Sequence, residues 1–375
     1  MALYIHVPFC TMMCPFCIFF SVPYSRDRAR PYFKALTGEL EGVLSRLEGA
    51  SFREVYVGGG TPTLATEEVC EALDLVRSMG HRFEASVEAS PYDIDDHKVS
   101  QLVSAGVTRI SLGVQSFRPD ALPRIGRPRI SKEGLRAAIE ACSRARTVNV
   151  DVLLGLPGQG RRDLELELEA FYESKANQLT LYPLMPSIRE GATLPPVSER
   201  RERELYYFAV DKAKTMGLSQ DTVWGFSKGP SGLGDEYIVD FDLFIGVGAG
   251  AMSHVEGLFY ANTFNLRKYE DAAAKGRSPV ALARRLSPGE EQRLYALYKL
   301  CGLRLPKRDF RRRFGKPVYL AMPREVMAGL ALGLLRDRGE ELVVTRRGLY
   351  AISYLMKAFY VKISQIRAIA IRKGF

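Results

Sequence analysis

The feature that most constrains the fold is a sixfold alternation of short apolar runs with longer amphipathic stretches. Each run is rich in β-branched or aromatic residues, which is typical of buried strands, and each longer stretch has the apolar spacing of a helix. Strands that alternate with helices in this way predict βα units and a parallel sheet. The apolar runs span residues 2–8, 54–59, 83–89, 107–114, 148–156 and 178–184.

Six units are too few to close an eight-stranded barrel. The sequence therefore predicts an α/β fold built on an open, partial (β/α)6 barrel of the TIM type at residues 1–220, with the helical stretch 200–217 completing the sixth unit. Residues 221–285 contain a Gly-, Ser- and Pro-rich loop at 224–237 and a Gly-rich turn between two short strands within 242–263. We predict that this second region closes the mouth of the barrel on the substrate side.

Residues 286–375 read as a third region. Ser287 is a suitable N-cap for a helix, and residues 341–352 predict a strand, a turn and a second strand. Helices followed by a β-hairpin predict a small winged-helix-like domain. Basic residues concentrate at 305–316 and in the C-terminal tail of a chain whose net charge is +10. Because the sequence lacks zinc-finger spacing and interleaved aromatic and basic residues, we do not expect nucleic-acid binding.

The composition is that of a folded soluble protein, with 46% hydrophobic and 26% charged residues. No apolar run approaches the roughly 20 residues that a membrane-spanning helix needs. The first residues lack the basic and long apolar regions of a secretory signal. We therefore expect a cytoplasmic protein whose thiols are reduced rather than paired in disulfides.

A distinctive segment follows each of the six predicted strands. In parallel α/β barrels, ligands bind on the loops at the carboxyl ends of the strands, so these segments are expected to share one mouth. The segments are CTMMCPFC at 10–17, GGGTPT at 58–63, Glu88, GVQSF at 113–117, Asp151 with GLPGQ at 155–159, and YPLMP at 182–186.

Three of the six cysteines lie within eight positions, at Cys10, Cys14 and Cys17. Zinc usually takes four ligands, often from two CxxC pairs, and no second pair exists. Covalent heme attachment needs CxxCH, and Ile18 follows the last cysteine. A [4Fe–4S] cluster is held by thiolates, and three of them leave one iron open to an external ligand. The remaining cysteines lie singly in helical patterns and read as buried small side chains: Cys70, Cys142 and Cys301.

The Cx3Cx2C spacing is typical of radical S-adenosylmethionine (SAM) enzymes, in which the open iron binds SAM. The segments YIHVPFC, CPFC, GGGTPT, GVQSF, DVLLGLPGQ and GVGAGAMS follow in the order seen in one family. Over essentially its whole length the chain resembles the oxygen-independent coproporphyrinogen III oxidase-like (HemN-like) radical SAM family. That resemblance implies a [4Fe–4S] cluster, two SAM molecules, as is common in the family, and a reductant such as flavodoxin or ferredoxin.

The resemblance also implies roles for individual residues. Cys10, Cys14 and Cys17 would bind the cluster, while Tyr4, Gly59 and Glu88 would contact the first SAM. Each polar residue also has a structural reading: Asp151 as a helix cap, Arg127 as a solvated cation, Gln115 as a partner for a buried backbone group. The second SAM would be held by Phe16, Gly60, Thr61, Gln115, Arg127, Asp151 and Pro183.

Three activities share this scaffold. Oxidation of coproporphyrinogen III ranks third, because enzymes of that kind have an N-terminal extension and a further cysteine where this chain has Phe19. The alternative ranked second is a heme chaperone, which binds and delivers heme. That branch usually has a histidine where this chain has Met252, and a His-Asn-x-x-x-Tyr-like segment in which Phe264 here replaces the histidine before Asn265 and Tyr269.

The activity that we rank first is that of a class C methyltransferase. A radical formed from the first SAM would activate the methyl group of the second, which would add to an sp² carbon of an aromatic, heteroaromatic or tetrapyrrole substrate. His254, Tyr182 and Tyr237 are the candidate proton acceptors and donors. Five aromatic residues are candidates for a flat substrate pocket, with packing between subdomains as the alternative: Trp224, Phe226, Phe244, Phe259 and Tyr260.

Overall fold

The protein is seen here in a computed structural model of the 375-residue chain. The structure describes residues 1–47, 51–186, 194, 197–229, 237–240 and 243–375, with the backbone alone at position 240. The predicted loop at 224–237 therefore falls partly outside the described residues, and the first residue of the predicted strand–turn–strand region at 242–263 lies outside them.

The six predicted strands are present, and each is parallel to its neighbours. Their buried, β-branched sequences are those expected of strands that are covered on both faces. The predicted α/β fold with a parallel sheet is confirmed, and the strand bounds move by no more than two residues. The strands are Ala2–Val7, Glu54–Gly59, Glu84–Ala89, Val107–Gln115, Thr147–Leu154 and Gln178–Pro183.

A helix follows each of these strands and covers the outer face of the sheet. Leu40 and Leu73 lie on the first two helices and are fully buried against the strands. Asp95 and Ser131 cap the third and fourth helices by accepting hydrogen bonds from backbone N–H groups. The helices are Arg26–Arg46, Thr66–Ser78, Asp96–Ser104, Lys132–Cys142, Arg161–Glu173 and Glu199–Thr215, with short 3₁₀ turns at Pro62–Ala65 and Leu122–Ile125.

The sheet extends beyond the six strands on both sides and stays open among the described residues. Strand Phe244–Val247 is parallel to the first strand and lies beside it, so the parallel part has a seventh member that sequence analysis took for a short strand beside a turn. The added strands are Ser219–Gln220, Gly225–Ser227, Phe244–Val247, Met252–Val255, Leu258–Asn262 and Val280–Arg285. The predicted domain boundaries at residues 220 and 285 remain predictions, and the sheet runs across the first of them.

The C-terminal part contains helices and a three-stranded antiparallel sheet. Ser287 caps its first helix in a capping box with Glu290, as predicted. The predicted strand–turn–strand at 341–352 is wrong in its second half, because Thr345 accepts a hydrogen bond from the Gly348 amide and begins a helix there. The elements are helices Pro288–Cys301, Lys307–Phe314, Val318–Ala321, Pro323–Ala331 and Arg346–Arg372, and strands Arg304–Pro306, Leu335–Asp337 and Glu341–Val344.

The segment predicted to be a basic tail, residues 361–375, lies largely in the second half of the last helix, Arg346–Arg372, which we call the C-terminal helix. It packs back onto the barrel, where Met356 and Ala370 are buried. Minor elements are the paired residues Phe9–Cys10 and Val22–Pro23 and the helices Tyr237–Asp240 and Leu266–Ala274. Within the described parts of the chain, no helix has both the length and the apolar character needed to cross a membrane.

Candidate functional site

The three clustered cysteines lie on the segment that leaves the first strand, and all three line one cavity at the carboxyl ends of the strands. We call residues 8–20 the cluster loop. It turns tightly between the last two cysteines, where the Cys17 amide donates to the Cys14 carbonyl at 3.2 Å. Among the described residues no three His, Cys, Asp or Glu groups converge as a single metal ion would require. Three thiols around one cavity instead fit an iron–sulfur cluster, which is held by cysteine thiolates.

Two residues predicted to bind the second SAM lie directly against these sulfurs. The Thr61 hydroxyl is 3.8 Å from Cys10 Sγ, and Arg127 Nε is 3.4 Å from Cys14 Sγ. Arg127 also lies 5.5 Å from the centre of the Phe16 ring and donates to the Gly113 carbonyl at 2.5 Å. The guanidinium is therefore fixed at the cavity wall rather than solvated, which was its structural alternative.

Tyr4 and His6 form a buried pair on the first strand. His6 Nε2 lies 3.0 Å from the Phe20 carbonyl, which can only accept, so this nitrogen carries the proton. Nδ1 then accepts from the Tyr4 hydroxyl at 2.8 Å. Burial, helped by the positive charge of Arg367, lowers the pKa of His6 to about 3, so the ring is neutral.

Gly59, which ends the second strand, and Gly60 after it have no side chains, so His6 and Phe9 can approach their backbone closely. Gly59 has φ +117°, and a Cβ there would lie 2.5 Å from His6 Cε1. A Cβ on Gly60 would lie 2.4 Å from the Phe9 carbonyl oxygen. The turn therefore needs glycine at both positions, for backbone conformation at the first and for close approach at both.

Glu88 ends the third strand with its carboxylate facing the cavity. It accepts hydrogen bonds from the Gly59 amide at 2.9 Å and from the Tyr56 hydroxyl at 3.0 Å. Burial, with a smaller contribution from the charge of Asp151, raises the pKa of Glu88 to about 7. A polar ligand with N–H donors would hold this carboxylate in its charged form.

Asp151 and Gln115 line the same cavity. Asp151 accepts from the Ser111 hydroxyl at 3.0 Å and from the Asn149 amide at 2.7 Å, and burial raises its pKa. It does not cap the next helix, for which Gly160 is the N-cap. Gln115 has φ +69°, which is uncommon for a residue with a side chain.

The strained backbone at Gln115 is held from behind by Glu167. Ser116 and the Phe117 amide both donate to this carboxylate, the latter at 2.6 Å. Burial raises the pKa of Glu167 to about 7. Strain that is compensated in this way is typical of residues whose side chain is aimed at a ligand.

The cavity spans about 1900 Å³ with its open mouth included. The enclosed part of the cavity has a volume of about 260 Å³. The strand ends form a polar floor, while an aromatic and aliphatic roof comes from the later half of the chain. The roof was not predicted, because its residues were assigned to a separate C-terminal domain and its basic tail rather than to the barrel mouth. The roof residues are Tyr298, Phe359, Tyr360, Ile363 and Arg367.

The remaining predicted residues divide between the cavity and the core. Tyr182, Pro183 and Tyr237 line the cavity, where the Tyr237 ring stacks on Tyr4 with 5.4 Å between centroids. His254 does not line it. This side chain is 1% exposed and lies among the rings of Phe244 and Phe259, so a ligand in the cavity meets those rings instead.

The predicted aromatic pocket is only partly formed. Phe244 and Phe259 line the cavity, whereas Trp224 and Phe226 are buried in the core and Tyr260 lies outside the lining. The indole N–H of Trp224 donates to Ser353 of the C-terminal helix at 2.8 Å. For Trp224 and Phe226 the alternative reading, packing between parts of the chain, is therefore the one that the structure supports.

The segment around Asn265 is also structural. Asn265 caps a helix, and the Tyr269 hydroxyl donates to the buried Glu39 at 2.6 Å. Phe264, which stands where the chaperone branch has histidine, is 4% exposed and packs edge-on against Phe20. None of these three side chains lines the cavity.

The open α/β sheet and the loop of three cysteines are features of a radical SAM domain, and the Radical SAM superfamily model matches residues 4–170. Over most of its length the chain is similar to HemN-like proteins, in sequence to the heme chaperone HemW and in fold to HemN.

Two curated relatives and one solved structure show this similarity. The chain is 27% identical to the heme chaperone HemW of Bacillus subtilis, over 92% of this chain and 95% of that protein. It is 27% identical to anaerobilin synthase of Escherichia coli O157:H7, over 75% of this chain and 67% of that protein. Its fold matches coproporphyrinogen III oxidase (HemN) of Escherichia coli with a TM-score of 0.76 and 21% identity, over 95% of this chain and 89% of that one.

Proposed function

We propose that this chain is a heme-binding radical SAM protein that acts as a heme chaperone. The observation that carries the proposal is that one cavity combines the three-cysteine loop with an aromatic roof and a buried guanidinium. The similarity to HemW over 92% of the chain supports it. The comparisons thus favour the alternative of the sequence analysis over the methyltransferase that was ranked first.

The roof suits a flat, acidic macrocycle. Phe359 and Tyr360 offer large apolar ring surface, and aromatic side chains bury more area per residue than most others. Arg367 carries a planar guanidinium whose geometry matches a carboxylate. Heme presents both features, an apolar ring system and two propionate groups.

The described residues supply no readily available histidine for the heme iron. His6 is the histidine that lines the cavity, and both of its nitrogens are engaged by Tyr4 and Phe20. Met252 and Tyr360 also line the cavity, and a thioether or a phenolate can bind heme iron. We propose that heme is held by the roof and by a ligand of this kind rather than by histidine.

When bound, the [4Fe–4S] cluster would supply one electron that cleaves SAM to a 5′-deoxyadenosyl radical, with flavodoxin or ferredoxin as the electron source. Cys10, Cys14 and Cys17 would hold it. The residues of the polar floor then have separate tasks: Gly59 offers backbone groups to the methionyl end of SAM, and Glu88 accepts from its N–H donors. The enclosed cavity would keep water away from the reactive species.

The second candidate is the class C methyltransferase, and the geometry of Asp151 and Gln115 favours it. Both line the cavity, on the two strands that follow the one carrying Glu88, and a second SAM site could be completed there by Phe16, Gly60, Thr61, Arg127 and Pro183. Asp151 would accept from a ribose diol, and the strained Gln115 would donate to or accept from the same cofactor. Tyr182 and Tyr237 lie at the cavity as candidate proton donors, whereas His254 is screened from it.

One anaerobic experiment separates the two candidates. The reconstituted protein is mixed with heme, SAM and a reductant, and then with an apo heme protein as acceptor. Tight heme binding and transfer to the acceptor, without S-adenosylhomocysteine, is the expected result. Substrate-dependent formation of both 5′-deoxyadenosine and S-adenosylhomocysteine, with porphyrins or quinones added, would replace the chaperone by the methyltransferase.

Matched variants sharpen the experiment. Arg367→Met should weaken heme binding by about tenfold to a hundredfold, the usual cost of losing a hydrogen bond to a charged group. Arg372→Met removes an exposed arginine from the same helix and is the control. If the protein is a heme chaperone, Asp151→Asn should leave heme binding unchanged. If it is a methyltransferase, the same variant should abolish formation of S-adenosylhomocysteine.

A further inference from the structure

The cluster loop is held at its far end by two different parts of the molecule. On one side, His6 of the first strand donates to the Phe20 carbonyl. On the other, the C-terminal helix reaches the Ile18 carbonyl. Ile18 directly follows Cys17, so any group that fixes this carbonyl also fixes the backbone of the third cysteine.

Two side chains of the C-terminal helix donate to that one carbonyl. The Ser364 hydroxyl is 3.3 Å from the Ile18 oxygen, and Arg367 donates to it through Nη1. The two residues are three positions apart and so lie on the same face of the helix. Ser364 is fully buried and Arg367 is 7% exposed. A carbonyl oxygen has two lone pairs, so both bonds can form together.

The other two cysteines are positioned from within the barrel. Cys10 lies beside Thr61 at 3.8 Å, and Cys14 lies beside Arg127 at 3.4 Å. The loop between them is also confined, since a Cβ on Gly126 would lie 2.6 Å from Pro15 Cδ.

We propose that the C-terminal helix positions Cys17 for the cluster, through a clamp formed by Ser364 and Arg367 on the Ile18 carbonyl. Ser364 and Arg367 are positioning residues in this role, because they act on Cys17 through the Ile18 carbonyl. Removing the clamp would leave Cys17 attached to a loop whose next anchors are the Phe20 carbonyl and the backbone pairing of Val22 with Pro8. The cluster would then be lost faster, whichever ligand the cavity takes.

The test uses the full-length protein with its cluster reconstituted anaerobically. The variants are Ser364→Ala, Arg367→Met and Arg367→Lys, and Gln365→Ala is the control on the exposed face of the same helix. The rate of iron loss to a chelator and hydrogen exchange of the 16–20 amides are measured without heme or substrate. The electron paramagnetic resonance spectrum of the reduced cluster reports its geometry.

We expect Ser364→Ala to lose iron about fivefold faster, as the loss of one buried hydrogen bond predicts, and Arg367→Met faster still. The rate of iron loss from Arg367→Lys should lie between those of the wild type and Arg367→Met, because lysine keeps the positive charge but lacks the planar guanidinium. Exchange of the 16–20 amides should rise in step, the reduced-cluster spectrum should broaden, and Gln365→Ala should match the wild type in each measurement.

The proposal is overturned if Ser364→Ala and Arg367→Lys lose iron at the wild-type rate and show the wild-type spectrum. If Arg367→Met does not fold, the results for Ser364→Ala and Arg367→Lys decide whether the proposal holds. A lower melting temperature with unchanged iron loss would also contradict it, since that would mark a purely structural contact. None of these readouts depends on heme transfer or methyl transfer, so a failure of the proposed function is seen separately.

Discussion

Glu88 carries a carboxyl group whose ionisation falls within the ordinary working range of pH. Burial raises its pKa to about 7, so the group is neutral in mildly acidic solution and charged above neutrality. A charged carboxylate accepts N–H donors more strongly than a neutral acid. We expect SAM affinity to fall as pH drops from 8 to 6, with a midpoint near 7, when binding is measured by calorimetry.

Glu88→Gln is the matched variant. It should bind SAM about tenfold to a hundredfold more weakly at pH 8 and show no pH dependence over this range. Because the folded pKa is raised above the unfolded value, ionisation at pH 8 destabilises the free protein, and the variant should melt at a higher temperature there. A variant that keeps the wild-type pH profile would remove Glu88 from SAM binding.

Gly59 and Gly80 form a natural pair for a second prediction. Both have positive φ, at +117° and +89°, but a Cβ on Gly80 would meet nothing within 4 Å, whereas one on Gly59 would collide with His6. Gly80→Ala should cost about 1 kcal/mol of unfolding free energy from backbone strain alone. Gly59→Ala should cost at least about 2 kcal/mol more and abolish SAM binding, as thermal unfolding and calorimetry would show. Equal losses of unfolding free energy in the two variants would mean that the His6 side chain moves aside at little cost.

At this scale the sequence is informative where a carboxylate interrupts the apolar pattern of a predicted strand that ends at the barrel mouth. Glu88 and Asp151 were predictable because the ends of parallel strands meet at one edge. His6 was overlooked because it lies inside a strand, and only the turn of the glycines brings it to the cavity wall. His254 was misplaced for the opposite reason, since its short strand turns it toward Phe244 and Phe259.

Between elements, Glu39 ties the first helix to the segment that follows the seventh parallel strand. Its buried carboxylate accepts from the Gly248 amide at 2.7 Å, Asn262 at 2.6 Å and Tyr269 at 2.6 Å. Glu39→Ala would leave three buried donors without their acceptor and should lower the unfolding free energy by about 3 kcal/mol or more. Urea unfolding measures this.

Glu41→Ala is the control for this network, because Glu41 is exposed on the same helix. Its unfolding free energy should stay within about 0.5 kcal/mol of the wild type. If the two variants unfold alike, the carboxylate does not join these elements.

Helix and strand types were predicted well where the apolar period was sustained, as in all six βα units. The spacing of apolar residues does not reveal that residues 345–352 begin a helix. A strand that ends at Val344 and a helix capped by Thr345 share one short apolar stretch, which gives no sign of the change. The spacing also fails to show which face of the C-terminal helix is covered. Tyr360, Ile363 and Arg367 recur at helical spacing, and that spacing was the available signal for the roof.

Considered as a whole, the molecule has a net charge of +10, and a cation lies in the roof of its cavity. An anionic ligand should therefore be attracted from a distance, and salt should screen the attraction. We expect the association rate of heme to fall about tenfold between roughly 0.01 and 1 M salt, over which the Debye length shortens from about 30 to about 3 Å. Stopped-flow absorbance measures the rate.

Heme dimethyl ester, which lacks the two carboxylates, is the control ligand. Its association rate should change little with salt. If both ligands respond alike, the charge of the protein does not guide binding.

The partial barrel could be predicted because six consecutive βα units leave few alternatives for the chain. The pairing of Phe244–Val247 with the first strand could not, because it joins residues far apart in sequence and no local pattern encodes a partner. The same holds for the clamp of Ser364 and Arg367 on Ile18.

This clamp has a consequence for the order in which the protein is made. Translation runs from the N-terminus, so the three cysteines leave the ribosome long before the helix that covers them is synthesised. The cluster loop and the roof are thus far apart in sequence and are also synthesised at different times. Iron and sulfide can reach a nascent chain whose cavity is still uncovered, and the C-terminal helix covers it once that helix has been translated.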